Sequence, residues 1–186
     1  MGRPINKEKN QITLQISNTI PKPLKQNSST QICESNEKLE PFIDEILPKK
    51  SGLIQYKIAG SFLTLYCSGP TPLFFEHRDN GIMPTLKFVH KYPQIWTVLK
   101  VDKGAIPYIL GGANIMCGGL TSAGAEMATE LEEGANVVIM AEGKEHAIAV
   151  GTLKMSTKDI KSKNKGVAVE VGHFLGDGLW TNNEIS

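Results

Sequence analysis

Five lysines crowd the stretch from Lys154 to Lys165 against one aspartate, and their spacing is the strongest chemical signal in this chain. Ser156-x-x-Asp159 reads as a capping-box-like helix start, in which a serine oxygen takes a free backbone amide and an acid occupies the first turn. From there Lys158, Lys161 and Lys165 fall at i, i+3 and i+7, on one helical face with Ile160 turned away. Lys154 and Lys163 extend the stripe. Such a face neutralises phosphates. About five charges would engage roughly three to five phosphates, and counterion release would then give a log-log salt slope of roughly −2 to −4. Lys87, His90 and Lys91 share one side of a second helix and read as a second basic face. Taken singly, either set could be no more than a solvated surface.

Other chemistries fail on detail. His77, His90, His146 and His173 show no two-histidine metal spacing, no Gly-x-Ser-x-Gly elbow occurs, and Cys117 has no evident partner base. Cys33, Cys67 and Cys117 are odd in number, widely spaced and lack a Cys-x-x-Cys pair, which argues against a disulfide framework or zinc knuckle and for a reduced compartment. Gly119-x4-Gly124 runs into Ala125-Glu126 instead of Lys and Ser or Thr, so the glycines around Gly111, Gly112 and Gly118 read as turns rather than a nucleotide cradle. No catalytic residue, metal site or cofactor is expected.

The chain has 186 residues, 40% of them apolar, enough for one ordinary domain or two small ones without staples. Its net charge of +1 hides a strong asymmetry: six glutamates face one lysine from Glu126 to Glu145, just before the lysine-rich stretch. The first ten residues lack a signal-peptide pattern, and no apolar run approaches the roughly 20 residues that span a bilayer. A soluble, cytoplasmic protein with no membrane partner is the expectation.

The elements that must position these residues follow from periodicity. Up to about Ser35 the chain is rich in Asn, Gln, Ser and Lys, with a short strand around Ile12 to Ile16 at most. Leu39, Phe42, Ile43, Ile46 and Leu47 repeat as one buried stripe, with Pro41 in the first turn and Pro48 closing the helix. Alternation then predicts a meander: Ile54, Tyr56 and Ile58 on one face, a turn at Gly60-Ser61, a return over Phe62 to Tyr66, and a third strand from Leu73 to His77. Pro84 opens a helix that buries Leu86, Val89 and Tyr92 and ends before Pro93. From Val101 short strands alternate with glycine turns, as in a small barrel. The expected architecture is α+β, an N-terminal antiparallel sheet with helices (residues 1–97) packed on a C-terminal β-pseudobarrel (residues 98–186).

A family resemblance runs through these blocks. Val101-Asp102-Lys103-Gly104-Ala105-Ile106, Gly111-Gly112-Ala113-Asn114-Ile115-Met116 and Asn136-Val137-Val138-Ile139-Met140 resemble the PUA domain, a small barrel that binds structured RNA. Leu73-Phe74-Phe75, Pro84-Thr85-Leu86, His90-Lys91-Tyr92-Pro93, Met140-Ala141-Glu142-Gly143-Lys144 and Asp177-Gly178-Leu179-Trp180 fall in the order of the malignant T-cell amplified sequence family of translation factors, a likeness from about Phe42 to Trp180.

That resemblance implies a non-catalytic protein pairing with a density-regulated-protein homologue on small-subunit rRNA, with tRNA at the P site, in reinitiation, non-canonical initiation and post-termination recycling. It makes Lys103 and Gly104 RNA contacts and the face of Lys87, His90 and Lys91 a second ribosome or partner contact. Phe74, Phe75 and Met83 stand as candidates for the partner-facing surface. The alternative is a targeting subunit or enzyme of tRNA or rRNA modification. Where the family has Pro-Gly and a later proline, this chain has Gly118-Gly119 and Ser122-Ala123, which removes the proline that would direct phosphorylation at Ser122.

Overall fold

The computed structural model describes residues 22–23, 37–42, 46, 53–58, 62–77 and 80–182. The expected strand around Ile12 to Ile16, the Gly60-Ser61 turn and most of the second half of the first helix lie outside them. Within them, Glu37–Phe42 winds as a 3-10 helix with Pro41 inside it, and Leu39 and Ile46 are buried as the apolar stripe requires.

Strands β1 (Lys22–Pro23), β2 (Leu53–Lys57), β3 (Leu63–Ser68), β4 (Thr71–His77) and β5 (Ile82–Pro84) form an antiparallel sheet in chain order. Gly69 holds the β3–β4 turn at φ +58, a conformation that costs glycine nothing. Helix α1 (Leu86–Lys91) follows, but Pro84 does not open it. Pro84 ends β5 opposite Phe74, and Thr85 caps the helix, accepting from the Phe88 amide at 3.4 Å while its hydroxyl donates to the Pro72 carbonyl at 3.0 Å. The helix stops at Tyr92, as Pro93 demands, and a 3-10 turn (Pro93–Ile95) leads into the second sheet.

That sheet contains β6 (Val98–Val101), β7 (Ile115–Met116), β8 (Asn136–Ala141), β9 (Ala149–Leu153) and β10 (Val167–Phe174), in the order β6-β8-β9-β10-β7 with β6 and β8 parallel. Register shifts at Val167/Val169 and Val171/His173 in β10 let it curl into a half-barrel. Three short helices fill the connections, α2 (Ile106–Leu110), α3 (Gly118–Thr121) and α4 (Thr157–Lys163), and α5 (Gly178–Thr181) follows β10.

Period-two alternation explains how the halves join. Val137 and Ile139 point into the barrel core with Ala149 and Leu153, whereas Val138 and Val150 point out and belong to the cluster that fills the first sheet. Phe74 and Phe75 face opposite ways for the same reason. Phe74 meets Phe88 of α1 edge-on at 5.0 Å between centroids, and Phe75 meets His173 of β10 at 5.7 Å. The first sheet is therefore covered on both faces.

This corrects the reading of Phe74, Phe75 and Met83 as a partner-facing surface. They are 2%, 1% and 1% exposed, and Met83 lies against Gly172, where an added Cβ would come 2.8 Å from the methionine Cε. The junction between sheets consumes Phe75 and Met83, and the packing of α1 on the first sheet consumes Phe74.

Candidate nucleic-acid interface

The Val101-Asp102-Lys103-Gly104-Ala105 run turns sharply because Asp102 anchors it. Its Oδ1 accepts from the Ala105 amide at 3.0 Å, its own amide donates to the Gly119 carbonyl at 3.2 Å, and its Oδ2 accepts from the Ser122 hydroxyl. A Cβ at position 104 would lie 2.9 Å from Asp102 Oδ1, so any larger residue there would displace the capping carboxylate. The 3-10 turn Lys103–Ala105 continues into α2, which buries Ile109 and leaves Tyr108 71% exposed.

β7 and α3 add Ile115, Met116 and Gly119 to the same surface, and Met116 is 53% exposed there. The Lys103–Ala105 turn and α3 approach closely, since a Cβ on Gly119 would stand 3.4 Å from that of Ala105. The result is a groove of about 550 Å³ lined by Asp102, Gly104, Tyr108, Asn114, Met116 and their apolar neighbours. Asn114 fixes the far end by accepting from the Val171 amide at 3.1 Å. Of the candidate contacts, Gly104 lines this groove directly. Lys103 is exposed at its rim, its stem beside the Gly143 turn, where an added Cβ would be 3.5 Å from Lys103 Cε.

The lysine stripe is only partly free. Ser156 caps α4 as expected, accepting from the Asp159 amide at 3.1 Å, and Ile160 is buried. The helix ends at Lys163, with Asn164 in the left-handed region at φ 44, so Lys165 is not its i+7 member. It sits in the turn before β10 instead, two residues from Val167, which pairs with Met116 at the groove wall. Thr121 of α3 donates to Asn164 Oδ1 at 2.6 Å and ties this turn to the groove. Lys154 pairs with Glu170 at 3.3 Å, Lys163 pairs with Asp159 at 3.1 Å, and Lys161 donates to the Met127 carbonyl at 3.3 Å. Lys158 and Lys165 are exposed and have no ion pair among the described residues.

The second basic face does not survive as a unit. His90 Nε2 lies 2.8 Å from the Ala147 carbonyl, which can only accept, so this nitrogen carries a proton. Its ring meets those of His146 and Trp180 at 5.2 and 5.5 Å. Lys87 Nζ is enclosed 5.5 Å over the Trp180 ring with no hydrogen-bond partner among the described residues, and burial lowers its pKa. Both residues join α1 to the second sheet and its C-terminal helix. Lys91 alone is exposed, its amine 5.2 Å over the Tyr92 ring.

Sequence reasoning missed Asp102, Tyr108, Asn114 and Met116 as groove residues. A signal existed in Ile106-Pro107-Tyr108-Ile109-Leu110, where a helix too short to bury more than one residue must leave its aromatic outside. No cluster of three or more metal-ligating side chains occurs among the described residues, and no helix among them is long and apolar enough to cross a membrane.

Comparison with known proteins assigns both halves. Residues 6–93 match the family model described as Pre-PUA-like domain, and residues 95–178 match that described as elF2D, PUA domain. Translation machinery-associated protein 20 of Eremothecium gossypii is 44% identical over 97% of this chain and 97% of its own. The malignant T-cell-amplified sequence 1 homolog of Drosophila melanogaster is 48% identical over 83% of this chain and 85% of its own. A hypothetical protein from Pyrococcus horikoshii superposes with a TM-score of 0.68 at 26% identity, covering 87% of this chain and 98% of its own. The two sheets, the groove and these relatives together place the chain in the family of the malignant T-cell-amplified sequence and translation machinery-associated 20 proteins, built from a Pre-PUA and a PUA domain.

Proposed function

We propose that this protein is a non-catalytic RNA-binding translation factor that docks on the small ribosomal subunit through its PUA domain. One observation carries the reading. An open groove lined by the exposed aromatic Tyr108 has the exposed Lys103 next in sequence to two of its lining residues and the exposed Lys165 in the turn whose Gly166 carbonyl accepts from the Cys117 amide beside Met116, with Lys158 and Lys161 on the preceding helix. Bases stack on such an aromatic while lysines hold the backbone. The printed name of the Eremothecium relative, translation machinery-associated protein, supports the cellular setting.

In this reading the chain is the cytoplasmic rRNA anchor of a pair. A density-regulated-protein homologue is the second member, and the pair acts on P-site tRNA in reinitiation, non-canonical initiation and post-termination recycling. The partner surface excludes Phe74, Phe75 and Met83, which are buried.

Fluorescence anisotropy with a labelled single-stranded RNA tests the RNA contact. Lys158→Glu combined with Lys165→Glu should weaken binding at least about tenfold, since two phosphate contacts become repulsions. Lys154→Glu with Lys163→Glu should cost less, because each lysine already has an internal carboxylate. Equal, negligible effects of both pairs would overturn the assignment.

A further inference from the structure

The groove's charge is arranged against what an RNA backbone would want. Among the described residues no lysine or arginine lines it, and the one carboxylate in that lining is Asp102. The cations stand outside: Lys103 beside the Gly143 turn and Lys165 beyond Met116. A phosphate inside would meet the Asp102 carboxylate in a partly buried setting, where like charges repel more strongly than in water.

What the interior does offer is a mostly apolar space with a few polar groups. Tyr108 and Met116 are exposed and both line it, and four of the remaining lining residues, Gly104, Ala105, Ala113 and Gly119, are small. Asn114 has its oxygen committed to the Val171 amide, so its side-chain amide nitrogen remains as a donor. Asp102 accepts one bond at each oxygen and keeps further lone pairs as acceptors. Adjacent donor and acceptor groups are what the edge of a nucleobase presents once it is unpaired.

Resting on the RNA-binding reading above, we infer that Asp102 is a specificity-determining residue that keeps phosphate out of the groove, so that the groove takes an unpaired nucleobase while the rim lysines take the backbone. The carboxylate thus does two things. It caps the Lys103–Ala105 turn and joins it to Ser122, which sets the groove width, and its charge decides which part of a nucleotide enters.

The probes are a short single-stranded RNA and a strand of equal length made wholly of abasic nucleotides, titrated by anisotropy across a salt series. Wild-type protein should prefer the base-bearing strand by about 5- to 150-fold, the range that stacking of one base gives. Asp102→Asn should tighten abasic binding severalfold and steepen its salt dependence, because the carboxylate–phosphate repulsion that it removes is felt most at low salt, where screening is weakest. Asp102→Ser, which keeps a capping oxygen and loses the charge, should do the same, and its melting temperature guards against a mere folding defect. Tyr108→Ala should weaken the base-bearing strand only.

An unchanged strand ratio and salt slope in both Asp102 variants, with melting preserved, would overturn the role of Asp102. Equal wild-type affinity for both strands would overturn base entry and leave the RNA-binding reading standing. Failure of wild-type protein to bind either strand would overturn that reading itself.

Discussion

Replacing Phe75 by alanine probes the join between the two halves. Phe75 is 1% exposed on β4, yet its ring meets His173 of β10 and lies near Gly172, so it belongs to the first sheet and fills the space against the second. Deleting a buried phenylalanine side chain costs about 3–5 kcal/mol, the lost transfer energy plus the cavity left behind. For a chain of this size each kcal/mol lowers the melting temperature by about 2–4 °C, so a drop of roughly 6–20 °C is expected. Val138, Ala147, Val150 and Leu179 of the second half share one apolar cluster with the first sheet, so both halves should melt together. Calorimetry on Phe75→Ala, and on Ile139→Ala inside the barrel core, should each show one shifted transition. Two transitions, with Phe75→Ala moving only one, would refute a shared core.

Further expectations follow from single contacts. Burial pushes the Cys67 thiol up to about 12, so in a Cys33→Ser background native protein should resist alkylation of this residue at pH 8.5, while denatured protein reacts. The sign for stability follows: the raised folded pKa gives a contribution that is intact below the unfolded thiol value, near 8.5, and lost as pH climbs toward 12. Gly104→Ala should weaken RNA binding and cost roughly 0.5–2 kcal/mol in urea unfolding, because the new Cβ, 2.9 Å from Asp102 Oδ1, disturbs the cap.

Much of the fold was legible because local chemistry set it. Thr85, Asp102, Ser156 and Asp177 each cap a helix or 3-10 turn by accepting from an amide three residues on, and such caps stand out in sequence. Glycines at positive φ mark the turns at Gly69, Gly134 and Gly143. The site was harder to read because side-chain exposure depends on what packs across the chain. Phe74-Phe75 carried a usable signal, since consecutive large apolar residues in a strand imply cover on both faces. Asn164 and Gly166 likewise marked the end of α4 before Lys165. Nothing local disclosed that Trp180 would cover Lys87 and His90, more than 80 residues away. Their charge pattern matched that of a solvated face, and only the docking of two sheets distinguishes them.

Sedimentation of the purified protein with small ribosomal subunits across a salt series tests the central claim most directly. The account predicts co-sedimentation that weakens with salt, is lost with Lys158→Glu and Lys165→Glu combined, and strengthens when a density-regulated-protein homologue is added. Absence of binding at every salt concentration, with and without that homologue, would contradict it.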